Sequence, residues 1–419
     1  EAEEKIAKSN QEIFNLGRYF NILKSQKDKL EDQFKLTEVR EGMSSEGEGK
    51  IKFVQAWYSK SDEREALSLL DELNIYYQVS EPDSEDDVPI KLKNNFYSKI
   101  FENITEVYQL PNYRELDLTP FIGVFYPIFF AYCLGDSGYG IVLMLLSIFA
   151  LFGPLRKEKS IAFLGLTLGL FTTAIGILKS GTVFGASIAE AKNIPFFDSL
   201  SKYVFITDDQ DFIFNAFNVS LMIGLFQILV GVLLSFYRKI KFQSFSMAIP
   251  MIAKFLIIVS SVSLFLGASQ GMNLFEPYIE ISKILLVLGI LILLLTHDYS
   301  IPIFNRIMKG FLEVFFVFTG ILGDSLSYIR LFALGVSSSI LGLVVNQIGA
   351  PLLDGGIIAV IGGIVFLIFG HALNFAIAFL GALIHPLRLT FVEFYGNAQF
   401  EGGGKAFNTF RKNTQNINS

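Results

Sequence analysis

Residues 311–347 decide the fold class; they read FLEVFFVFTGILGDSLSYIRLFALGVSSSILGLVVNQ, with Arg330 about midway. As one helix rising ~1.5 Å per residue, this segment exceeds the ~30 Å hydrocarbon core of a bilayer, so we expect it to be strongly tilted or to extend beyond the membrane. A charge near the bilayer centre costs at least ~2.5 kcal/mol on insertion scales. The segment therefore predicts a membrane helix whose arginine is retained for a function.

Polar residues around Arg330 favour that interpretation. At 100° per residue, four of them share roughly one helix face with Arg330: Asp324, Ser327, Ser337 and Ser338. The structural alternatives are an arginine that extends to the interface and an ion pair with Asp324. Extension is unfavourable because apolar and hydroxyl residues flank Arg330 on both sides.

The composition divides the chain into a polar and an apolar part. Hydrophobic residues make up 52% of the 419 residues and charged residues only 18%, which favours a membrane protein. Charged residues concentrate in residues 1–118, whereas Phe, Leu, Ile and Gly dominate residues 119–400. The net charge of −6 argues against a nucleic-acid partner. The single cysteine, Cys133, cannot form an internal disulfide.

The polar part predicts an arm of three pieces. Residues 1–40 carry apolar residues at helical spacing and predict one helix of an antiparallel coiled coil. Residues 51–80 predict a small α/β lobe, and residues 81–118 a linker with a short helix. Within the lobe and linker we expect the following elements: strand Ile51–Tyr58, helix Asp62–Leu73, strand Ile75–Val79 and helix Phe96–Tyr108. Because the chain begins inside a helical pattern, we expect an N-terminal portion to precede it.

The apolar part contains seven runs, of which the first is too long for one crossing. The runs are 119–153, 160–180, 211–237, 247–268, 281–297, 311–347 and 356–395. The sequence Gly135-Asp136-Ser137-Gly138-Tyr139-Gly140 interrupts the first run and predicts a turn between two crossings. The last two runs should be long, tilted helices.

The distribution of basic residues favours eight spans over seven. With eight spans, one side carries most of the cations: Arg156, Lys157, Lys159, Arg238, Lys239, Lys241, Arg306, Lys309, Lys405, Arg411 and Lys412. The other side has only Lys192 and Lys202 in its loops. By the positive-inside rule, both termini and the tail, residues 401–419, are then cytoplasmic.

The last run carries a second polar stripe. His371, Asn374, His385 and Arg388 lie within about 100° on a helical wheel and predict a hydrated path or a brace for the neighbouring helix. Nearer the cytoplasmic end, a structural ion pair between Arg388 and Glu393 competes with a channel role. The spacing of His371 and His385 gives no metal-ligand cluster, and no nucleotide motif is present, so we expect no metal and no cofactor.

Three motifs together resemble the membrane subunit of V/A-type rotary ATPases, called a or I. They are FYPIFFAYCLGDSGYG at 125–140, LSYIRLFALG at 326–335 and IHPLRLTFVEFYGNAQFEGGGKAF at 384–407. The resemblance implies a bent cytoplasmic arm, eight spans and two tilted helices facing a rotor ring of small hydrophobic membrane subunits. It also implies stalk subunits of the ATPase, central and peripheral, as partners. The short loops are similar to the prokaryotic type, which implies the prokaryotic plasma membrane.

The resemblance assigns Arg330 to the family's essential arginine and Arg388 to its companion in the last span. His385 and Glu393 fall inside the third motif. Many eukaryotic relatives carry a histidine at the position of Ser338 and a glutamate at that of Ala378, so their channel lining cannot be copied. We expect two half-channels lined by Asp324, Ser327, Ser337, Ser338, His371, Asn374, His385 and Glu393.

The implied function is exchange of H⁺ or Na⁺ between these half-channels and rotor carboxylates, without a catalytic site for ATP on this chain. A secondary ion-coupled transporter is the alternative, but it should show inverted repeats and interrupted helices, and residues 119–237 and 247–395 show no such repeat. A structural scaffold would leave Arg330 unexplained.

Overall fold

The structure is a computed structural model that describes residues 2–46, 51–83, 86–153, 159–179, 181–187, 212–268, 276–296 and 302–407. Two compact units divide the chain: residues 1–91 with 404–419, and residues 92–403. Several cations used to predict the topology lie outside the described residues: Arg156, Lys157, Lys192, Lys202, Arg411 and Lys412.

The first unit begins with a long helix, α1 (Ala2–Glu41), where the sequence predicted one. Apolar side chains along its described part are exposed, including Phe20 at 66% and Phe34 at 72%. The coiled-coil pairing of this helix therefore stays a prediction. Strands β1 (Ser44–Glu46) and β2 (Ile51–Phe53) form an antiparallel hairpin, and α2 (Glu63–Glu72) follows.

The predicted strand Ile75–Val79 is wrong, because these residues adopt no regular structure and Tyr76 is 94% exposed. β2 is also shorter than the strand predicted from Ile51 to Tyr58. A strand is stable only beside a hydrogen-bonded neighbour, and a hairpin of two three-residue strands offers almost no edge to extend. The expected α/β lobe is therefore reduced to a hairpin and one helix.

The second unit is helical. The predicted helix Phe96–Tyr108 consists of two, α3 (Phe96–Ile100) and α4 (Glu102–Tyr108). Longer apolar helices follow: α5 (Thr119–Leu134), α6 (Ser137–Phe152), α7 (Lys159–Lys179), α8 (Phe212–Phe242), α9 (Phe245–Ala268), α10 (Ile279–Thr296), α11 (Ile303–Gly349) and α12 (Ile357–Arg388).

Six of the described helices, α7 to α12, are long and apolar enough to cross a membrane. The predicted break between α5 and α6 is present: Gly135 has a left-handed φ of 70°, and the Asp136 carboxylate caps α6 by accepting from the backbone N–H groups of Gly138 and Tyr139. However, α5 and α6 have only 16 residues each, about 24 Å, less than the ~20 residues of a full crossing. The chain is thus a helical membrane protein with six candidate spans, and eight spans stay a prediction.

The core of this unit forms around α5, which packs against α7, α11 and α12. Its side chains are buried on nearly all sides, with Tyr126, Phe129 and Phe130 at 1% exposure or less, as expected for a helix that is apolar all round. α11 in turn contacts α8, α10 and α12. One face of α11 is therefore held in the protein interior, while Leu322 and Leu326 on another face are 65% and 68% exposed.

The last predicted span does not continue as a regular α-helix to residue 395. α12 ends at Arg388, and Leu389–Phe394 forms a π-helix. Pro386 lies in the last turn of α12, where a proline removes a backbone N–H and crowds the preceding turn. Such wide turns occur often at functional sites.

Candidate functional site

Arg330 lies near the middle of α11, between the buried residues Tyr328 and Leu331. Its side chain is half-buried, and among the described residues its Nη1 atom is buried without a hydrogen-bond partner. No ion pair joins Arg330 to Asp324 within the described part of the chain, so that structural alternative is not supported. Arg330 and Arg388 both lie within electrostatic range of His385.

A first polar cluster, the Asp324 cluster, comprises Asp324, Glu393 and Asn397. Nδ2 of Asn397 donates to Asp324 Oδ2 at 3.0 Å and to the Glu393 carbonyl at 2.7 Å, so it joins α11 to the π-helix. The Glu393 side chain is only 5% exposed, and its Oε2 atom has no hydrogen-bond partner among the described residues.

A cavity of about 130 Å³ adjoins the Asp324 cluster. Asp324, Asn397 and Gly320 line it together with Lys254 and Glu313, whose side chains form an ion pair at 2.5 Å. Because one water needs only ~10–15 Å³ of such space, this polar cavity has room for several.

A second polar cluster, the His371 cluster, comprises Tyr139, Asn346, His371 and Asn374. The Tyr139 hydroxyl lies 3.0 Å from His371 Nδ1, and Asn346 Oδ1 lies 3.0 Å from His371 Nε2. Nδ2 of Asn374 donates to the Tyr139 hydroxyl at 2.8 Å and to the Ser338 carbonyl at 3.0 Å. The cluster thus links α6, α11 and α12.

The turn between α5 and α6 supports the His371 cluster through a small hairpin, β3 (Thr182–Val183) and β4 (Ala186–Ser187). Phe184 and Gly185 form its two-residue turn with φ of 51° and 74°. The Asp136 carboxylate accepts from both of their N–H groups at 2.8 Å. Nδ2 of Asn346 donates to the Phe184 carbonyl at 2.6 Å.

The remaining predicted site residues differ in how deeply they are buried. Ser327 and His385 are half-buried, and Arg388 is exposed at the end of α12. Two neighbouring residues of the predicted polar stripe on α11 differ in burial, since Ser337 is exposed and Ser338 is buried. The structure brings His371 and Asn374 together and places His385 nearer Arg330.

Sequence reasoning missed Tyr139, Asn346 and Asn397. Tyr139 belongs to the motif that predicted only a turn, and Asn346 lies at the end of the run 311–347. Asn397 belongs to the third motif but was given no role. In the sequence each of them is only a polar residue in or near a predicted span. Such residues are too common to be selected unless the packing of the helices is known.

Lys179 at the end of α7 is a buried cation that the sequence analysis did not single out. Its Nζ atom lies 3.4 Å from the Tyr132 carbonyl and 4.2 Å from the Tyr132 ring centroid. No acidic partner is found for it within the described ranges. Gly335 makes room, because a Cβ there would come within 2.5 Å of the ammonium.

Buried polar atoms without a hydrogen-bond partner among the described residues occur on α8, α11, α12 and the π-helix. They include Asn218 Nδ2, Gln227 Nε2, Arg330 Nη1, Ser338 Oγ, Asn374 Oδ1 and Glu393 Oε2. Buried polar groups are normally hydrogen-bonded, and ordered water often supplies the missing partner. The arrangement is chemically suited to water on either side of Arg330.

Known proteins are similar in sequence to this chain. Residues 8–162 match the V-type ATPase 116 kDa subunit family. The chain is 31% identical over 368 residues to the A-type ATP synthase subunit I of Pyrococcus horikoshii, and 28% identical over 390 residues to that of Methanocaldococcus jannaschii. The chain is a homologue of ATP synthase subunit I. The resemblance predicted from the three motifs is confirmed.

These subunit I relatives are longer than the chain. The two archaeal matches cover 85% and 87% of this chain but 53% and 55% of the relatives. A V-type ATP synthase subunit I of Borreliella burgdorferi is 26% identical over 414 residues, covering 96% of this chain and 66% of the relative. The chain thus spans about half the length of the first two subunit I relatives.

Proposed function

We propose that this chain is the stationary membrane subunit of a rotary ATPase, and that Arg330 is the charge at which transported ions are exchanged with the rotor. The observation that carries the proposal is the buried Nη1 atom of Arg330, which has no partner among the described residues. A buried guanidinium nitrogen without a partner is costly in a membrane helix unless an anion on a moving subunit comes to pair with it.

The mechanism follows from the charges. A rotor carboxylate crossing lipid carries its H⁺ or Na⁺, because a bare charge there is costly. Beside Arg330 the ionised carboxylate is stabilised, so the ion leaves into one half-channel. A guanidinium stays protonated and cannot pass the proton on, so it also blocks direct leakage between the half-channels.

The two polar clusters support a pair of half-channels. On the continuous helix α11, Asp324 precedes Arg330 and Asn346 follows it, so the Asp324 cluster and the His371 cluster lie on opposite sides of Arg330 along the helix. Following the charge-based topology, we assign the Asp324 cluster to the cytoplasmic half-channel and the His371 cluster, with Ser338, to the opposite one. Ser327 and His385 line the approach to Arg330, and Arg388 supports it. The rotor ring, stalk subunits and a plasma membrane with cytoplasmic termini belong to the same proposal.

The test is Arg330→Lys in the reconstituted ATPase, with Arg114→Lys, an exposed position outside the spans, as the matched control. Lysine lacks the planar fork and can lose its proton, so we expect ATP-driven pumping to be largely abolished in an assembled complex. The control should pump normally. Full pumping by Arg330→Lys would overturn the proposal.

A second measurement separates a rotary subunit from a secondary transporter. The rotary function requires co-purification with a ring of small hydrophobic subunits and ion flux that depends on the ring. Ion flux by the chain without any ring would support a transporter instead. Repeating the flux measurement in sodium-free buffer distinguishes H⁺ from Na⁺.

A further inference from the structure

Two backbone carbonyls fix the hydrogen-bond directions of the His371 cluster. A carbonyl oxygen only accepts, so the Asn346 atom at 2.6 Å from the Phe184 carbonyl is the amide nitrogen. The amide oxygen of Asn346 then faces His371 Nε2 at 3.0 Å. Because that oxygen also only accepts, Nε2 must carry the proton of the imidazole.

The other imidazole nitrogen is fixed in the same way. In the neutral Nε2–H tautomer, Nδ1 is an acceptor, so the Tyr139 hydroxyl donates to it at 3.0 Å. The Tyr139 oxygen accepts from Asn374 Nδ2 at 2.8 Å, and the Ser338 carbonyl holds that amide in place at 3.0 Å. Every hydrogen bond in the cluster thus has one consistent direction.

The turn at Phe184 and Gly185, whose Phe184 carbonyl accepts from Asn346, is held in place by hydrogen bonds and close packing. Asp136 accepts from the N–H groups of Phe184 and Gly185, which fixes the turn against α6. Gly138 leaves the space that Phe184 occupies, because a Cβ there would lie 2.7 Å from the Phe184 ring. Gly185 packs still more closely on Gly342 of α11, because a Cβ on Gly185 would lie 2.3 Å from the Gly342 backbone. Asp136 and Gly138 of the GDSGYG motif therefore hold the turn at Phe184 and Gly185 in place, in addition to forming the turn between α5 and α6.

We propose that Tyr139 and Asn346 are positioning residues, which hold His371 as the Nε2–H tautomer with Nδ1 as its only proton-accepting atom. The role rests on the proposed function, in which His371 lines a half-channel. The titratable groups that face the imidazole among the described residues are Tyr139 and, more distantly, Asp136; α11 contributes the Asn346 amide and α12 the Asn374 amide.

The neutral tautomer gives the Tyr139 O–H an acceptor at Nδ1. A charged imidazole would donate from both nitrogens, so the Tyr139 oxygen would accept from His371 as well as from Asn374, and its own O–H would lose its acceptor in the cluster. A proton that reaches Nδ1 must therefore rotate the Tyr139 hydroxyl away. The arrangement gives His371 a single point of proton entry, next to the Tyr139 hydroxyl.

The tautomer can be measured directly by nitrogen-15 NMR of the assembled, histidine-labelled ATPase, with His371 assigned by its loss in His371→Gln. We expect the wild-type signal of a protonated Nε2 and an unprotonated Nδ1. In Tyr139→Phe the ratio of this tautomer to the other should fall about fivefold, since one net hydrogen bond is lost. The control is Tyr126→Phe. It removes a hydroxyl of α5 that donates to the Leu383 carbonyl of α12, the helix that also carries His371, and it should leave the signal unchanged.

The pH profile of ATP-driven pumping gives a second readout. We expect it to change in Tyr139→Phe and to keep its wild-type form in Tyr126→Phe. A wild-type Nδ1–H signal, or a Tyr139→Phe complex with unchanged tautomer and pH profile, would overturn the positioning role. Normal pumping by Arg330→Lys beside the expected tautomer signals would instead overturn the proposed function and leave the fixed tautomer standing.

Discussion

Tyr328, two residues before Arg330, donates a hydrogen bond of 2.8 Å to Gln227 Oε1 and is completely buried. Its ring packs on Gly224 of α8, where a Cβ would lie only 2.1 Å from the ring. This contact joins α11 to α8 within one turn of Arg330. The position of Arg330 relative to α8 is therefore held by a side chain that belongs to neither polar cluster.

Removal of the Tyr328 hydroxyl should destabilise the protein and reduce transport. In Tyr328→Phe the Gln227 amide loses its remaining partner in the described part of the chain, at an expected cost of about 1–3 kcal/mol. Thermal unfolding of the purified complex and its pumping rate measure both effects. Tyr237→Phe, at an exposed tyrosine of α8, the helix that carries Gln227, should change stability by less than about 0.5 kcal/mol. Equal unfolding temperatures for the two variants would contradict the prediction.

The cavity beside the Asp324 cluster should be open to water. A Cβ would meet no atom within 4 Å at either Gly320 or Gly323, but only Gly320 lines the cavity. We expect Gly320→Cys to react with a water-soluble maleimide in membrane vesicles and Gly323→Cys to react much more slowly. The native Cys133 is buried and should give little background. Labelling at similar rates would show that the cavity is not a distinct water-accessible site.

The ion pair between Arg238 and Glu115 should contribute strongly to stability. Arg238 Nη1 lies 2.8 Å from Glu115 Oε1, and the two side chains are only 11% and 6% exposed. Arg238 also donates to the Gln399 carbonyl at 2.5 Å, so the pair fixes the segment after the π-helix. Arg238→Met removes the cation paired with the buried Glu115 carboxylate and should cost about 3–5 kcal/mol in the free energy of unfolding.

Lys283 and Glu280 provide the matched control for that variant. They form an ion pair at 2.7 Å, but their side chains are 57% and 80% exposed. Lys283→Met should therefore cost no more than ~1 kcal/mol, since water already solvates both charges. Thermal unfolding of the complex measures both variants. A comparable loss of stability in the two would contradict the prediction that burial makes the Arg238–Glu115 pair the stronger one.

The sequence anticipated much of the fold but not its details. The helices of the membrane part follow the apolar runs, and the turn at Gly135 follows a motif that contains the required glycine. The strand expected at Ile75–Val79 failed because alternating apolar residues form a strand only where a neighbour completes the hydrogen bonds. The regular helix expected to residue 395 ends at Arg388, since Pro386 disrupts the preceding turn.

The sequence by itself determined that Arg330 lies within a long apolar helix, because a charge inside a long apolar run can be recognised from the order of residues alone. It also determined the family resemblance, which rests on the order of three motifs. Only the tertiary structure decided which polar residues meet. Tyr139 and His371 are 232 positions apart, and Gln227 and Tyr328 are 101. Such pairs depend on the rotation of packed helices and on close glycine contacts, and these are set by side-chain packing that a single sequence does not display.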